Sequence, residues 1–96
     1  MTSVRLPVAA DFVNRVGKPF EVEASGRRLA LKLDGFQELP SAGREGGSFR
    51  LEFVGPFDPV LAQGIFPFRI ADDRFEIFVV PIARDPRGIR YEAIFY

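Results

Sequence analysis

The chain has 96 residues, 47% of them apolar and eleven of them Phe, which predicts one domain with a large core and no second site-bearing lobe. Thirteen basic residues balance thirteen acidic ones, so no net field steers the chain to nucleic acid or to anionic lipid. Cys and His are both absent, which removes disulfides, thiolate metal sites, the commonest metal ligand and the usual general base near neutral pH.

The segment Met1 to Ala10 is too short and too broken for the apolar region of a signal peptide, and no run approaches a membrane span. A soluble cytoplasmic protein is expected. The first predicted element is a short helix over about 7–16. Pro7 suits its first position and Gly17 its stop, while Val8, Phe12 and Val16 fall at four-residue spacing to form an apolar stripe. A helix this short does not persist alone in water, so it must dock.

From Phe20 the apolar period becomes two. Phe20, Val22 and Ala24 point one way, Glu21 and Glu23 the other, predicting a strand over about 19–24. Ser25-Gly26 signals a turn, and Leu29, Leu31 and Leu33 resume the alternation in a strand over about 28–38. If the two strands pair, Glu21 and Glu23 face Arg28 and Lys32, and Gly35 marks a bulge. Pro40-Ser-Ala-Gly-Arg-Glu-Gly-Gly47 reads as loop.

The third strand, about 48–54, places Phe49, Leu51 and Phe53 inward. Asp58-Pro-Val-Leu-Ala-Gln-Gly64 has the marks of one helical turn, with a capping Asp, Pro at the first position and Gly at the exit. A fourth strand follows at about 65–70. Pro67 lacks an N–H to donate to a ladder, which puts that strand at an edge or a bulge. Asp72-Asp73 and Asp85-Pro-Arg-Gly88 then make turns around a fifth strand at about 75–82 and before a sixth at about 89–96. Six antiparallel strands with short connections and one N-terminal helix predict a mainly β fold, a single small barrel or sandwich spanning 1–96.

Little in the chain supports catalysis. Ser3, Ser25, Ser41 and Ser48 have no His to activate them, and Asp72-Asp73 and Glu21/Glu23 read as a turn and a solvated strand face. A calcium site needs more oxygen ligands at regular spacing, and Gly43, Gly46 and Gly47 lack the lysine and helix of a phosphate loop. Not an enzyme is therefore the expectation, with no catalytic residue, metal or cofactor. Arg84, Arg87 and Arg90 near Tyr91 could serve nucleic acid, but without net charge they read as turn and outward strand residues, so no nucleic-acid partner is expected.

The last two strands are apolar on both faces, whereas a strand covered on one side alternates. With Phe75, Ile77, Val79, Tyr91, Ala93 and Phe95 on the core face, a second set remains: Phe78, Val80, Ile82, Ile94 and Tyr96. Two covers compete for this set. Either the amphipathic helix packs there, the preferred reading, or the patch is an interface for self-association or another protein.

The runs Phe49-Arg-Leu-Glu-Phe-Val-Gly-Pro56, Leu61-Ala-Gln-Gly64, Ile77-Phe-Val-Val-Pro-Ile82 and Tyr91-Glu-Ala-Ile-Phe95, with Phe12, Gly17 and Phe20, resemble a family of small bacterial domains of unknown function. The likeness covers nearly the whole chain and rests on core, turn and strand positions. Phe66 stands where the family pattern has Tyr, which removes one hydroxyl. The resemblance implies a neighbourhood of tail-fibre or tail-collar-like proteins and hence a structural or assembly role, and it brings no catalytic residues. The expected function is a non-enzymatic interaction or assembly module. The alternative is a small barrel that binds an apolar ligand, although six short strands leave little room beyond their own side chains.

Overall fold

The computed structural model describes residues 7–40 and 47–95, together with the backbone of residues 3 and 4. Six strands follow a two-residue strand β1 (Ser3–Val4): β2 (Pro19–Ala24), β3 (Arg27–Glu38), β4 (Phe49–Gly55), β5 (Gly64–Ile70), β6 (Asp73–Asp85) and β7 (Gly88–Phe95). They close into an antiparallel barrel in the cyclic order β2-β3-β4-β7-β6-β5, with β1 added parallel to the start of β6. The strand spans match the alternation in the sequence to within three residues at each end. Barrel, not sandwich, is the architecture.

Local chemistry sets the turns. Ser25 and Gly26 both have positive φ, 51° and 77°, the mirror-image turn that matches the twist of paired strands, and they join β2 to β3 with Glu23 opposite Arg28. The register of β3 against β4 shifts between Leu33 and Gly35, so the expected bulge is present. Its parity change lets Leu31, Leu33 and Phe36 all turn toward the interior on a strand twelve residues long.

The N-terminal helical segment takes a different form from the one expected. It is two successive 3-10 turns, Ala9–Asp11 and Val13–Arg15, not one α-helical stripe. Short i to i+3 bonds define it, Phe12 N–H to the Ala9 carbonyl at 3.0 Å and Arg15 N–H to the Phe12 carbonyl at 2.9 Å. The Asp11 carboxylate also accepts the Val8 N–H at 2.8 Å, which closes the first turn on itself. Only Phe12 of the predicted stripe is fully buried, while Val16 and its neighbour Val13 are about half exposed.

Phe12 plugs one end of the barrel. Its ring centroid lies 5.4 Å from Phe75, 5.6 Å from Phe49, 6.0 Å from Phe20 and 6.1 Å from Phe95. Phe49 stacks on Phe95 at 4.6 Å, and Phe20, Phe53 and Phe68 form a second group at 5.0 to 6.3 Å. Such separations are those of rings in direct contact. Leu31, Leu33, Ile77, Val79 and Tyr91 fill the rest, all fully buried.

The helical turn expected at 58–64 does not form. The stretch between β4 and β5 is an irregular loop with a cis Asp58–Pro59 bond. Its backbone is held from outside the loop instead: the Leu61 N–H donates to the Tyr91 hydroxyl at 2.8 Å, and Leu61 is buried over the other barrel end.

Pro67 sits in a strand paired on both sides, but unequally. β5 pairs with β6 along its whole length, from Gly64–Val79 to Ile70–Asp73, and meets β2 only at Glu21–Arg69 and Val22–Phe68. The β2 ladder stops just before Pro67, the residue with no N–H to continue it. In that half β5 behaves as an edge.

Candidate functional site

Alternation separates the outer surface of the barrel into two unlike halves. On β2, β3 and β4 the outward residues include Glu21, Glu23, Arg28, Lys32, Asp34, Arg50 and Glu52. On β5 and β6, and at the end of β7, they include Ile65, Pro67, Phe78, Val80 and Ile94, with Arg69, Arg74 and Glu76 towards the β5–β6 turn.

One group of charges, drawn from β3, β4, β7 and the β6–β7 turn, is locked together. The Arg87 guanidinium meets both oxygens of Asp34, at 3.1 and 2.8 Å. Arg90 bonds the same Asp34, reaches Glu52 at 2.5 Å through Nε and Asp85 at 2.8 Å through Nη1. Arg50 continues the chain to Glu52 at 2.7 Å and Glu92 at 2.6 Å. Asp34 gains its position from the β3 bulge.

Electrostatics follow from the geometry. The Arg87 and then the Arg90 guanidinium hold the Asp34 carboxyl at about 2, below its ordinary 3.8. Arg90 likewise lowers Glu52, and the Arg87 backbone N–H, bonded to Asp85, lowers Asp85. Arg90, bonded to three carboxylates, is pushed higher than its ordinary range.

Each arginine singled out in the sequence is thus engaged. Arg87 and Arg90 are in the carboxylate network, and the Arg84 guanidinium lies 4.7 Å from the Phe57 ring centroid. Tyr91 is fully buried with its hydroxyl accepting from Leu61, so its ring offers no stacking surface to a base. Among the described residues no group of three or more Asp or Glu side chains is placed to hold a metal ion. No described helix is long and apolar enough to cross a membrane.

The second half holds the predicted apolar patch. Phe78 is 50% exposed, Ile82 44% and Ile94 38%, and Val80 is half-buried between them. The helical turns at Ala9–Asp11 and Val13–Arg15 do not cover them, contrary to the preferred expectation: Phe12 between them points into the barrel end, and Val13 and Val16 are themselves exposed. Ile82 is the extra residue of a second bulge, between Pro81 and Ala83, and sits at the margin of the patch. Tyr96 lies outside the described residues.

Ile65 also belongs to this patch, a membership the local sequence pattern does not show. It stands directly opposite Phe78 in the β5–β6 ladder and is 67% exposed. The signal was the uninterrupted apolar run Ile65-Phe-Pro-Phe68, which fits one-sided burial no better than the last two strands do.

Surface recesses lie elsewhere. One of about 300 Å³ is at the barrel mouth, lined by Ala24, Arg27, Val60, Leu61 and Phe66 among others. A second, open groove runs along Arg28, Ala30 and Lys32 beside Val54 and Gly55. Neither is lined by the ring cluster inside the barrel.

No curated protein and no solved structure matches the chain. A family model described as a domain of unknown function, DUF6916, matches residues 7–95, a span that includes the whole barrel and its Phe12 plug, and the chain belongs to that family.

Proposed function

We propose that this domain is a non-enzymatic, cytoplasmic protein-interaction module that works through the outer face of β5, β6 and the end of β7. The observation that carries the reading is the exposed apolar group of Ile65, Phe78 and Ile94, with half-buried Val80, on a barrel whose adjoining strands β4 and β7 carry an ion-pair network. A small barrel with its own core already filled has no structural need for a second apolar face, and contiguous exposed apolar surface marks interaction sites. The resemblance to bacterial domains encoded near tail-fibre or tail-collar-like proteins supports an accessory or assembly role in a structure of that kind. An apolar ligand inside the barrel is the weaker reading, because rings in contact occupy the interior from Phe12 to Phe68.

The test is a photo-cross-linking amino acid substituted for Phe78, with the same residue substituted for Glu23 on the charged side as control, in cells that express the protein. Discrete adducts from position 78 that are absent from position 23 support the reading. Equal, diffuse labelling from both positions overturns it.

A further inference from the structure

We infer that the open edge of β3 at Arg28 and Ala30 takes an extended, acidic segment of another protein as an added strand, at a site separate from the outer face of β5 and β6. The backbone is the first ground. The Leu33 N–H donates to the Lys18 carbonyl at 3.0 Å, and the Leu33 carbonyl accepts from the Gly17 N–H at 2.6 Å, so both groups of Leu33 face the β2 side. Alternation along the strand then turns the N–H and C=O of Lys32, Ala30 and Arg28 to the opposite side. Lys32 meets Val54 there, the last pair of the β3–β4 ladder, whereas β2 stays paired with β3 as far as Arg27. β4 ends at Gly55, and Pro56 after it has no N–H to offer. Among the described residues no strand pairs with the far side of Arg28 and Ala30. Two N–H and two C=O groups in a row are thus left open, which is the template for one more strand.

Room is the second ground. The groove beside this edge measures about 630 Å³ and lies between Arg28, Ala30 and Lys32 on one side and Val54, Pro56 and Asp58 on the other. The edge from Arg27 to Leu31 runs roughly 16 Å at ~3.3 Å per residue, the length of a short strand.

Charge selects the occupant. Arg28, Ala30 and Lys32 are exposed, and among the described residues neither cation is in an ion pair. Arg87, held by Asp34, adds a third positive group to the groove, and Asp58 is the one carboxylate of its lining. Glu23 and Glu21, opposite Arg28 and Ala30, lie on β2, across β3 from the opening. A strand with Asp or Glu at alternate positions sets carboxylates beside Arg28 and Lys32, and facing opposite charges stabilise a strand pair. A second copy of the chain fits badly: two copies paired about Ala30 set Arg28 of each against Lys32 of the other, and facing like charges destabilise. The cations that repel a second copy select an acidic strand.

Selection of short random peptides displayed on phage, with the purified chain as bait, tests this. Enriched peptides are expected to carry Asp or Glu at alternate positions. Ala30→Pro removes an edge N–H and leaves the β2 ladder, which uses Leu29 and Leu31, intact; it should weaken their binding at least tenfold. The double variant Arg28→Glu, Lys32→Glu keeps every backbone group and should weaken it as much, so a folding defect in the proline variant does not decide the result. Phe78→Asp, on the other face, should bind them unchanged. In an NMR titration with one such peptide the Arg28 and Ala30 amides should shift and exchange more slowly. No enriched peptide, or enriched peptides that bind both edge variants as tightly as the native chain, would overturn the inference. So would an oligouridylate that displaces the peptides and binds more tightly, which would give the groove to nucleic acid, or a dimer that Ala30→Pro dissociates, which would give the edge to a second copy.

Discussion

The Leu61 N–H donates to the Tyr91 hydroxyl at 2.8 Å across thirty positions of sequence, with both residues buried. That bond fastens the loop between β4 and β5 to the inner wall of β7, and it uses a backbone donor with no turn of its own to serve. Tyr91→Phe keeps the ring and removes the acceptor, leaving a buried N–H unpaired. A loss of about 1–3 kcal/mol is expected in urea unfolding. Faster amide exchange at Leu61, with the rest of the barrel unchanged, should accompany it. An unchanged midpoint would show that the hydroxyl holds nothing.

How far the sequence foretells such features depends on how local they are. Period-two runs such as Phe20 to Ala24 and Phe49 to Phe53 carry their own inside and outside, because a strand's two faces are separated residue by residue. Gly35 was readable as a bulge for the same reason, since the apolar parity changes between Leu33 and Phe36. Spacing did not distinguish one α-helical stripe from two 3-10 turns: Val8, Phe12 and Val16 satisfy the four-residue pattern, but only Phe12 has a hole to fill. The 58–64 segment carries the marks of a helical turn but does not form one, because the partner of its Leu61 N–H lies on another strand. The place of Ile65 in the patch is a matter of register with Phe78, which no local pattern contains.

Phe12 is the deepest anchor of the N-terminal segment, beside Ala9 against the core and the Arg15–Asp73 ion pair at 2.9 Å. It touches four rings, and its removal opens the end of the barrel they surround. Phe12→Ala is expected to cost about 3–5 kcal/mol. Val16→Ala, from the same predicted stripe but an exposed position, should stay within about 0.5 kcal/mol. Equal effects in a denaturant titration would mean that the segment docks as an amphipathic helix after all.

The ion-pair network gives the fold an acid limit. Asp34 titrates at about 2 in the folded chain against an ordinary 3.8. A carboxyl with a depressed folded pKa stabilises the fold while it is ionised in both states, above the ordinary value. That stabilisation fades as pH falls from about 4 towards 2, and Glu52 and Asp85, also lowered, act in the same direction. With partial solvent screening, the Asp34 share is about 1–2 kcal/mol. Unfolding free energies measured at pH 5 and at pH 2.5 should differ by more in the native chain than in Asp34→Asn, which has no such proton to take up. Identical pH slopes would detach Asp34 from acid stability.

Gly88 and Gly26 test two different demands on glycine. Gly26 has φ of 77° with open space around it, so Gly26→Ala meets only the backbone preference, about 1 kcal/mol. Gly88 is buried at φ of 151°, and a Cβ there would lie 2.0 Å from the Gly55 carbonyl oxygen. β4 and β7 cross so closely at that point that a methyl group must push the ladder apart, beside the Asp85 carboxylate that receives the Arg87 and Gly88 N–H groups. Gly88→Ala should therefore cost several times what Gly26→Ala does, on the order of 3 kcal/mol or more. It should also broaden the amide signals of Gly55 and Ile89, the pair at the end of that ladder, while Gly26→Ala leaves them untouched. Comparable losses from the two substitutions would place the constraint in the glycine backbone alone and not in the contact between the strands.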